Sequence, residues 1–148
     1  MTDIERRLSE YPRIKQRIRE LELQIEELKA KRDSIYDDML RGVAPEKDRV
    51  TGGPLYDPVV QAVTRLVDVY AERIRKVSAD LAAAYGKLAQ LEDMVNGSGL
   101  SETEQRYVRL RYFDGMAAWK VAQKIGYSER GARNIKDAIL EKIQKRAA

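Results

Sequence analysis

Apolar residues near the N-terminus recur at alternating spacings of three and four, which is the pattern of an amphipathic helix with one buried stripe. The stripe consists of two seven-residue series, Tyr11, Ile18 and Ile25, and Ile14, Leu21, Leu28 and Ile35. It lapses at Arg32 and resumes at Met39. Because a seven-residue repeat is typical of coiled coils, we predict a long helix from about Pro12 to Arg41.

The same pattern runs through five unbroken heptads after Pro58, where Asp57 is the expected N-cap. Its two series are Val60, Val67, Ile74, Leu81, Leu88 and Val95, and Val63, Tyr70, Val77, Ala84 and Leu91. Since each helix buries its stripe most readily against its neighbour in sequence, we predict that residues 1–97 form an antiparallel coiled-coil hairpin. Val59, Leu66 and Val69 widen the stripe, so we expect a homodimer through this hairpin, with helices pairing within or between chains.

Two features of this half suggest chemistry but have simpler explanations. In the predicted loop, residues 42–57, Gly52-Gly53 lacks the following Lys and Ser or Thr of a phosphate-binding loop, and we favour a plain connection. Three acidic pairs could be mistaken for carboxylate dyads: Glu26-Glu27, Asp37-Asp38 and Glu92-Asp93. Adjacent helical residues point about 100° apart, so we interpret these pairs as solvated helix faces.

The sequence changes character after residues 96–99, Asn-Gly-Ser-Gly, which we interpret as a helix stop and a flexible joint. Ser101 and Glu104 form a capping box that opens a helix, Gly126 ends a second, short helix, and Ser128 caps a third. Their predicted apolar residues are Tyr107, Val108 and Tyr112, then Trp119, Val121, Ala122 and Ile125, then Ala132, Ile135, Ile139 and Ile143. The chain is thus predicted to be all-α, with residues 98–148 forming a C-terminal helix-turn-helix domain.

The outward face of the last helix carries the side-chain types that read base edges in the major groove, Arg for guanine, Asn for adenine and Glu for cytosine. This face consists of Glu129, Arg130, Arg133, Asn134 and Asp137. For phosphate contacts we select the basic or hydroxyl residues Arg109, Arg111, Lys120, Ser128 and Lys136. Double-stranded DNA is therefore the predicted partner. The alternative is a structural three-helix cap, since a merely solvated helix could carry the same residues.

The charge distribution agrees with an anionic partner at this end of the chain. The formal charge is +4, and residues 98–148 hold eleven basic and six acidic residues whereas residues 1–97 sum to −1. With no cysteine and no histidine, disulfides and thiolate nucleophiles are excluded, and we predict no enzyme, no metal and no cofactor. No long apolar run occurs and the N-terminus is charged, so we expect a cytoplasmic protein without a membrane partner.

Five short segments of the C-terminal region resemble region 4 of bacterial sigma-70 factors, the part that recognises the promoter −35 element. They are residues 100–104 (Leu-Ser-Glu-Thr-Glu), 109–115 (Arg-Leu-Arg-Tyr-Phe-Asp-Gly), 121–122 (Val-Ala), 125–128 (Ile-Gly-Tyr-Ser) and 133–135 (Arg-Asn-Ile). The resemblance covers about a third of the chain. It implies that base reading falls on Glu129, Arg130, Arg133 and Asn134.

With a coiled-coil hairpin before this region, the layout is similar to the small phage regulators of the ArpU and RinA type, which are implicated in late-gene control. The resemblance implies a phage or prophage transcription regulator in the bacterial cytoplasm, with RNA polymerase as a further candidate partner. Nothing in the chain resembles sigma region 2. Two alternatives stay open, a small terminase-type DNA-packaging subunit and a structural or polymerase-docking module without specific DNA binding.

Overall fold

The computed structural model describes residues 2–43 and 58–147, and within them the chain is helical with no strand. Its helices are α1 (Asp3–Ser9), α2 (Tyr11–Val43), α3 (Pro58–Asn96), α4 (Glu102–Val108), α5 (Ala118–Ile125) and α6 (Glu129–Ala147), and a π-helical turn (Arg109–Phe113) continues α4. The predicted all-α fold class is confirmed. No helix in the described ranges is long and apolar enough to cross a membrane. Most of the predicted loop, residues 44–57, lies outside the described residues, as do the Gly52-Gly53 pair and the Asp57 cap.

In the long helices α2 and α3, the stripe that the heptads predict is the least exposed face, buried or half-buried along its length. From residue 11 to residue 41, every position outside the two series is exposed, apart from Arg32 and Met39, where the series continue. In α3, every position from residue 58 to residue 96 outside the two series is likewise exposed, apart from Met94. The three acidic pairs are exposed, as expected of solvated helix faces. The amphipathic character predicted for both helices is therefore confirmed.

Contacts divide the chain into two compact units, one formed by Met1–Ile18 with Ala83–Ala148 and the other by Arg19–Ala82. This division differs from the one predicted at residue 97. One reason is α1, a helix that the heptad pattern does not predict and that buries Leu8 completely in the core of the first unit. The other is the end of α3, whose Val95 belongs to the same core. That core consists of Leu8, Val95, Leu100, Tyr107, Val108, Tyr112, Val121, Ala122, Ala132, Ile139 and Ile143.

A local capping box starts α1, and an aromatic contact just after it attaches the chain to the π-helical turn. The Glu5 N–H donates to Thr2 Oγ1 at 3.2 Å and the Thr2 N–H donates to Glu5 Oε2 at 2.9 Å, which forms a capping box at the start of the helix. Just after α1, Tyr11 stacks on Phe113 with ring centroids 3.8 Å apart. The N-terminal residues are therefore part of the same folded unit as α4, α5 and α6.

The joint after α3, expected to be flexible, is packed against α6. Arg146 donates to the carbonyl oxygen of Asp93 at 2.5 Å and pairs with its carboxylate at 3.0 Å. A Cβ at Gly97 would overlap the guanidinium group of Arg146, so a larger residue at this position would have to displace that side chain. A cation that bonds the last carbonyls of a helix also opposes the negative end of its dipole. The contact therefore joins the end of α3 to the end of α6.

Candidate nucleic-acid interface

The ends of α5 and α6 are set by local sequence. Gly126 adopts a left-handed conformation, with φ +78°, that ends α5. The next residue, Tyr127, donates its N–H to the carbonyl oxygen of Ala122 at 3.0 Å. Ser128 then caps α6 by accepting a hydrogen bond from the Gly131 N–H at 3.1 Å. The predicted ends at Gly126 and Ser128 are confirmed, and only a tight turn separates the two helices.

Gly131 lowers the helix propensity of the first turn of α6, but its lack of a side chain leaves space for its neighbours. A Cβ at this position would lie 3.3 Å from Ser128 Oγ and 3.4 Å from the Tyr127 ring. The distance to the hydroxyl is tight and the distance to the ring is close to ordinary contact, so a Cβ here would require Ser128 Oγ to shift by a few tenths of an ångström. Glycine costs about 1 kcal/mol of helix propensity relative to alanine, and here it leaves room for the Ser128 cap.

Helix α6 has one buried face and one exposed face. Ala132, Ile139 and Ile143 are buried and Ile135 is half-buried, which confirms the predicted inner face. The exposed face carries the four predicted base-reading residues and one further acid, Glu129, Arg130, Arg133, Asn134 and Asp137. None of these side chains makes a hydrogen bond or ion pair with another described residue. The fold therefore brings them to one surface and leaves them available.

Tertiary contacts divide the basic side chains of residues 98–147 into two classes. Six of them bond to other groups of the protein: Arg106, Arg111, Lys136, Lys142, Lys145 and Arg146. Five are exposed and make no hydrogen bond or ion pair with another described residue: Arg109, Lys120, Lys124, Arg130 and Arg133. The second class can meet an anion with all of its N–H donors, whereas the first class would have to share or give up an existing contact.

The residues predicted to hold phosphate fall into both classes. Arg109 and Lys120 are exposed and belong to the free class. Arg111 is half-buried and donates to the carbonyl oxygen of Met116 at 3.1 Å, so it stabilises the turn before α5. The Ser128 hydroxyl accepts the cap hydrogen bond, which leaves its own proton to donate.

Lys136, the remaining predicted phosphate contact, belongs to a polar cluster around Glu5. The Tyr112 hydroxyl donates to Glu5 Oε1 at 2.9 Å, and Lys136 Nζ lies 3.7 Å from the same oxygen. Burial alone would raise the pKa of Glu5, but the Thr2 N–H, the Tyr112 hydroxyl and the Lys136 charge hold that pKa below its ordinary value. Burial and the bond to Glu5 raise the pKa of Tyr112 well above its usual range. The cluster therefore pairs an ionised carboxylate with a neutral tyrosine and holds Lys136 near α1.

Sequence reasoning missed a groove between α5 and α6 in this unit. It is lined by Glu5, Tyr107, Arg111, Ala118, Trp119, Glu129, Ala132, Arg133 and Lys136. Trp119 was expected among the apolar residues of its helix but is 55% exposed. The spacing in the sequence indicates this exposure. Trp119 lies two residues before the buried Val121, and residues two apart on a helix point about 160° away from each other. The indole therefore borders the groove instead of entering the core.

The exposed face of α6 presents two guanidinium groups, one amide and two carboxylates on the same side of the helix. Such a set can form paired hydrogen bonds with planar groups that carry donors and acceptors at their edges. No protein-family model matches the chain, and no curated protein or solved structure matches it significantly.

Proposed function

We propose that this protein is a sequence-specific DNA-binding transcription regulator that places α6 in the major groove as the second helix of a helix-turn-helix. The observation that carries the proposal is the exposed face of α6, where Arg130, Arg133 and Asn134 make no bond to another described residue. Arginine reads guanine and asparagine reads adenine through paired hydrogen bonds, which require side chains without competing partners. Glu129 is suited to accept a hydrogen bond from cytosine.

The free cations supply the sequence-independent part of the proposed binding. Arg109 lies on the π-helical turn, Lys120 and Lys124 lie on α5, and Arg130 lies at the start of α6. Phosphate contacts of this kind fix the orientation of a protein on the duplex and make its affinity depend on salt. We assign Arg109 and Lys120 to phosphate, with the Ser128 hydroxyl as an additional donor.

We assign dimerisation to the two long helices, paired as an antiparallel coiled-coil hairpin. In the Arg19–Ala82 unit the heptad stripes are the least exposed positions of both helices, which supports the pairing. Leu66 and Val69 are each 44% exposed beside the stripe, and a second copy of the chain would cover them. Together with the resemblance to sigma-70 region 4 and to ArpU- and RinA-type regulators, this layout supports a phage or prophage regulator.

Selection from a random duplex library tests the proposal. We expect the full chain to enrich one motif composed of two related half-sites, because a dimer presents two copies of α6. On that motif Arg133→Ala or Asn134→Ala should weaken binding by about 1–3 kcal/mol and should change binding to random DNA little. Lys145→Ala, in the last turn of the same helix and paired with Glu141, is the matched control and should leave the preference unchanged.

Circular dichroism of each variant must first show unchanged helix content. If folded Arg133→Ala and Asn134→Ala bind the motif and random DNA as the original chain does, α6 does not read bases. If the chain binds duplex DNA but enriches no motif, α6 likewise does not read bases. Assembly of many subunits into a ring on DNA would favour a packaging subunit over a regulator.

A further inference from the structure

We infer that Trp119 contacts DNA and packs against one strand of the duplex at the groove between α5 and α6. This inference rests on the proposed function and adds a residue that neither the base-reading set nor the phosphate set contains. The inferred contact is apolar. The indole packs against a deoxyribose of the strand that borders the major groove in which α6 lies.

The exposure of Trp119 is the first observation that supports this role. Trp119 is the only tryptophan in the chain, and it is 55% exposed although α5 buries Val121 and Ala122 almost completely. Tryptophan usually buries most of its surface, in the core or against a partner. The helix therefore has a buried face that excludes Trp119 and an accessible indole on another face.

The position of the groove is the second observation. Glu129 and Arg133 belong both to the groove lining and to the exposed face of α6, so the groove adjoins that face. A helix about 10–12 Å wide nearly fills a major groove about 12 Å wide, and its flanks then face the sugar–phosphate backbones. The flank on the α5 side is the one that carries Trp119.

The charge of the groove is the third observation and identifies the occupant as a DNA strand. Its lining contains three cations, of which Arg111 donates to the carbonyl oxygen of Met116 and Lys136 is paired with Glu5. Arg133 is the one that makes no hydrogen bond or ion pair with another described residue. Of the two carboxylates of the groove, Glu5 is already bonded to Tyr112 and paired with Lys136. The exposed indole lies beside the free cation Arg133 and next in sequence to the free cation Lys120. An apolar surface beside such positive charge matches a strand that alternates sugars with phosphates.

Tryptophan fluorescence tests the inference on the full chain, because the emission comes from Trp119 alone. In the presence of saturating duplex DNA that carries the enriched motif, we expect the acrylamide quenching constant to fall about twofold, since an indole that is 55% exposed becomes covered. Trp119→Ala should weaken binding of the same duplex about tenfold through loss of one apolar contact, and Trp119→Phe should restore most of it. Tyr85→Ala removes an aromatic side chain that is 47% exposed on α3 and outside the groove, and should leave the affinity unchanged.

Anisotropy of labelled duplex, measured on the same samples, separates this inference from the proposed function. If the duplex binds while the quenching constant and the affinity of Trp119→Ala stay unchanged, the groove has another occupant, such as a protein segment, and the inference is wrong while DNA binding stands. If the original chain binds no duplex, the inference and the proposed function fail together. The quenching experiment uses the unaltered chain, so it decides the question even if Trp119→Ala misfolds.

Discussion

The two halves of α6 carry basic residues of the same kind but use them differently. In the N-terminal half, Arg133 is exposed and makes no hydrogen bond or ion pair with another described residue. In the C-terminal half, Lys142 pairs with Glu104 at 2.5 Å and Arg146 pairs with Asp93 at 3.0 Å. The N-terminal half presents Arg133 to a ligand, with Lys136 near its end held by Glu5, and the C-terminal half fastens the helix to α4 and α3.

This difference shows that a count of basic residues overstates a binding surface. Lys142 cannot move to a phosphate without leaving the Glu104 carboxylate, which is only 7% exposed, without its counter-charge. Arg133 loses nothing comparable when it meets a base. Of the eleven basic residues in residues 98–148, the five without partners among the described residues therefore define the surface we propose for DNA.

The largest expected effect tests the core that holds both halves of α6 in place. Leu8 on α1 is fully buried, so Leu8→Ala should lower the free energy of unfolding by about 2–5 kcal/mol. Leu23→Ala, which truncates a leucine that is 57% exposed on α2, should change it by less than about 0.5 kcal/mol. Urea unfolding at one fixed protein concentration compares the two variants. Equal effects would mean that α1 does not belong to this core.

A smaller effect sharpens the comparison at the C-terminal half. Burial alone would raise the pKa of Glu104, but hydrogen bonds from Lys142 and Ser101 hold that pKa below its ordinary value. Because the pKa is lower in the folded state, the charge stabilises the fold above the unfolded pKa, and this contribution is lost as the pH falls. Glu104→Gln should therefore cost about 1 kcal/mol at pH 7 while keeping the capping box, since one partner is partly exposed. The cost should shrink below about pH 4.

Unfolding curves at several pH values, with Glu102→Gln as a control from the same turn, measure this dependence. Glu102 is exposed and makes no ion pair with another described residue, so its substitution should have the smaller effect. A difference between Glu104→Gln and the original chain that does not change with pH would show that charge does not hold Lys142 in place.

Much of the fold was predictable because its signals are local. The capping box of Ser101 and Glu104, the left-handed Gly126 and the Ser128 cap depend on residues a few positions apart, and all of them occur in the structure. The stripes of α2 and α3 depend only on the heptad period. The exposed face of α6 follows from the same period, since its inner face was identifiable from Ala132 and Ile139.

The rest depends on partners that are distant in the sequence. Nothing local distinguishes Arg133 from Arg146, and only the fold shows that Arg146 reaches Asp93, which is 53 residues away. The same applies to Lys136, whose partner Glu5 lies on a helix too short to show a repeat. The exposure of Trp119 was accessible from spacing, but its place beside Arg133 required the packing of α5 on α6.

The salt dependence of DNA affinity tests the central claim most directly, namely that DNA is held by the cations that the fold leaves free. Each lost phosphate contact lowers the slope of log affinity against log salt concentration by about 0.9. We predict that Lys120→Ala lowers this slope by about one unit and that Lys142→Ala, which removes a cation paired with Glu104, leaves it unchanged. A lower slope for Lys142→Ala with an unchanged slope for Lys120→Ala would contradict the account.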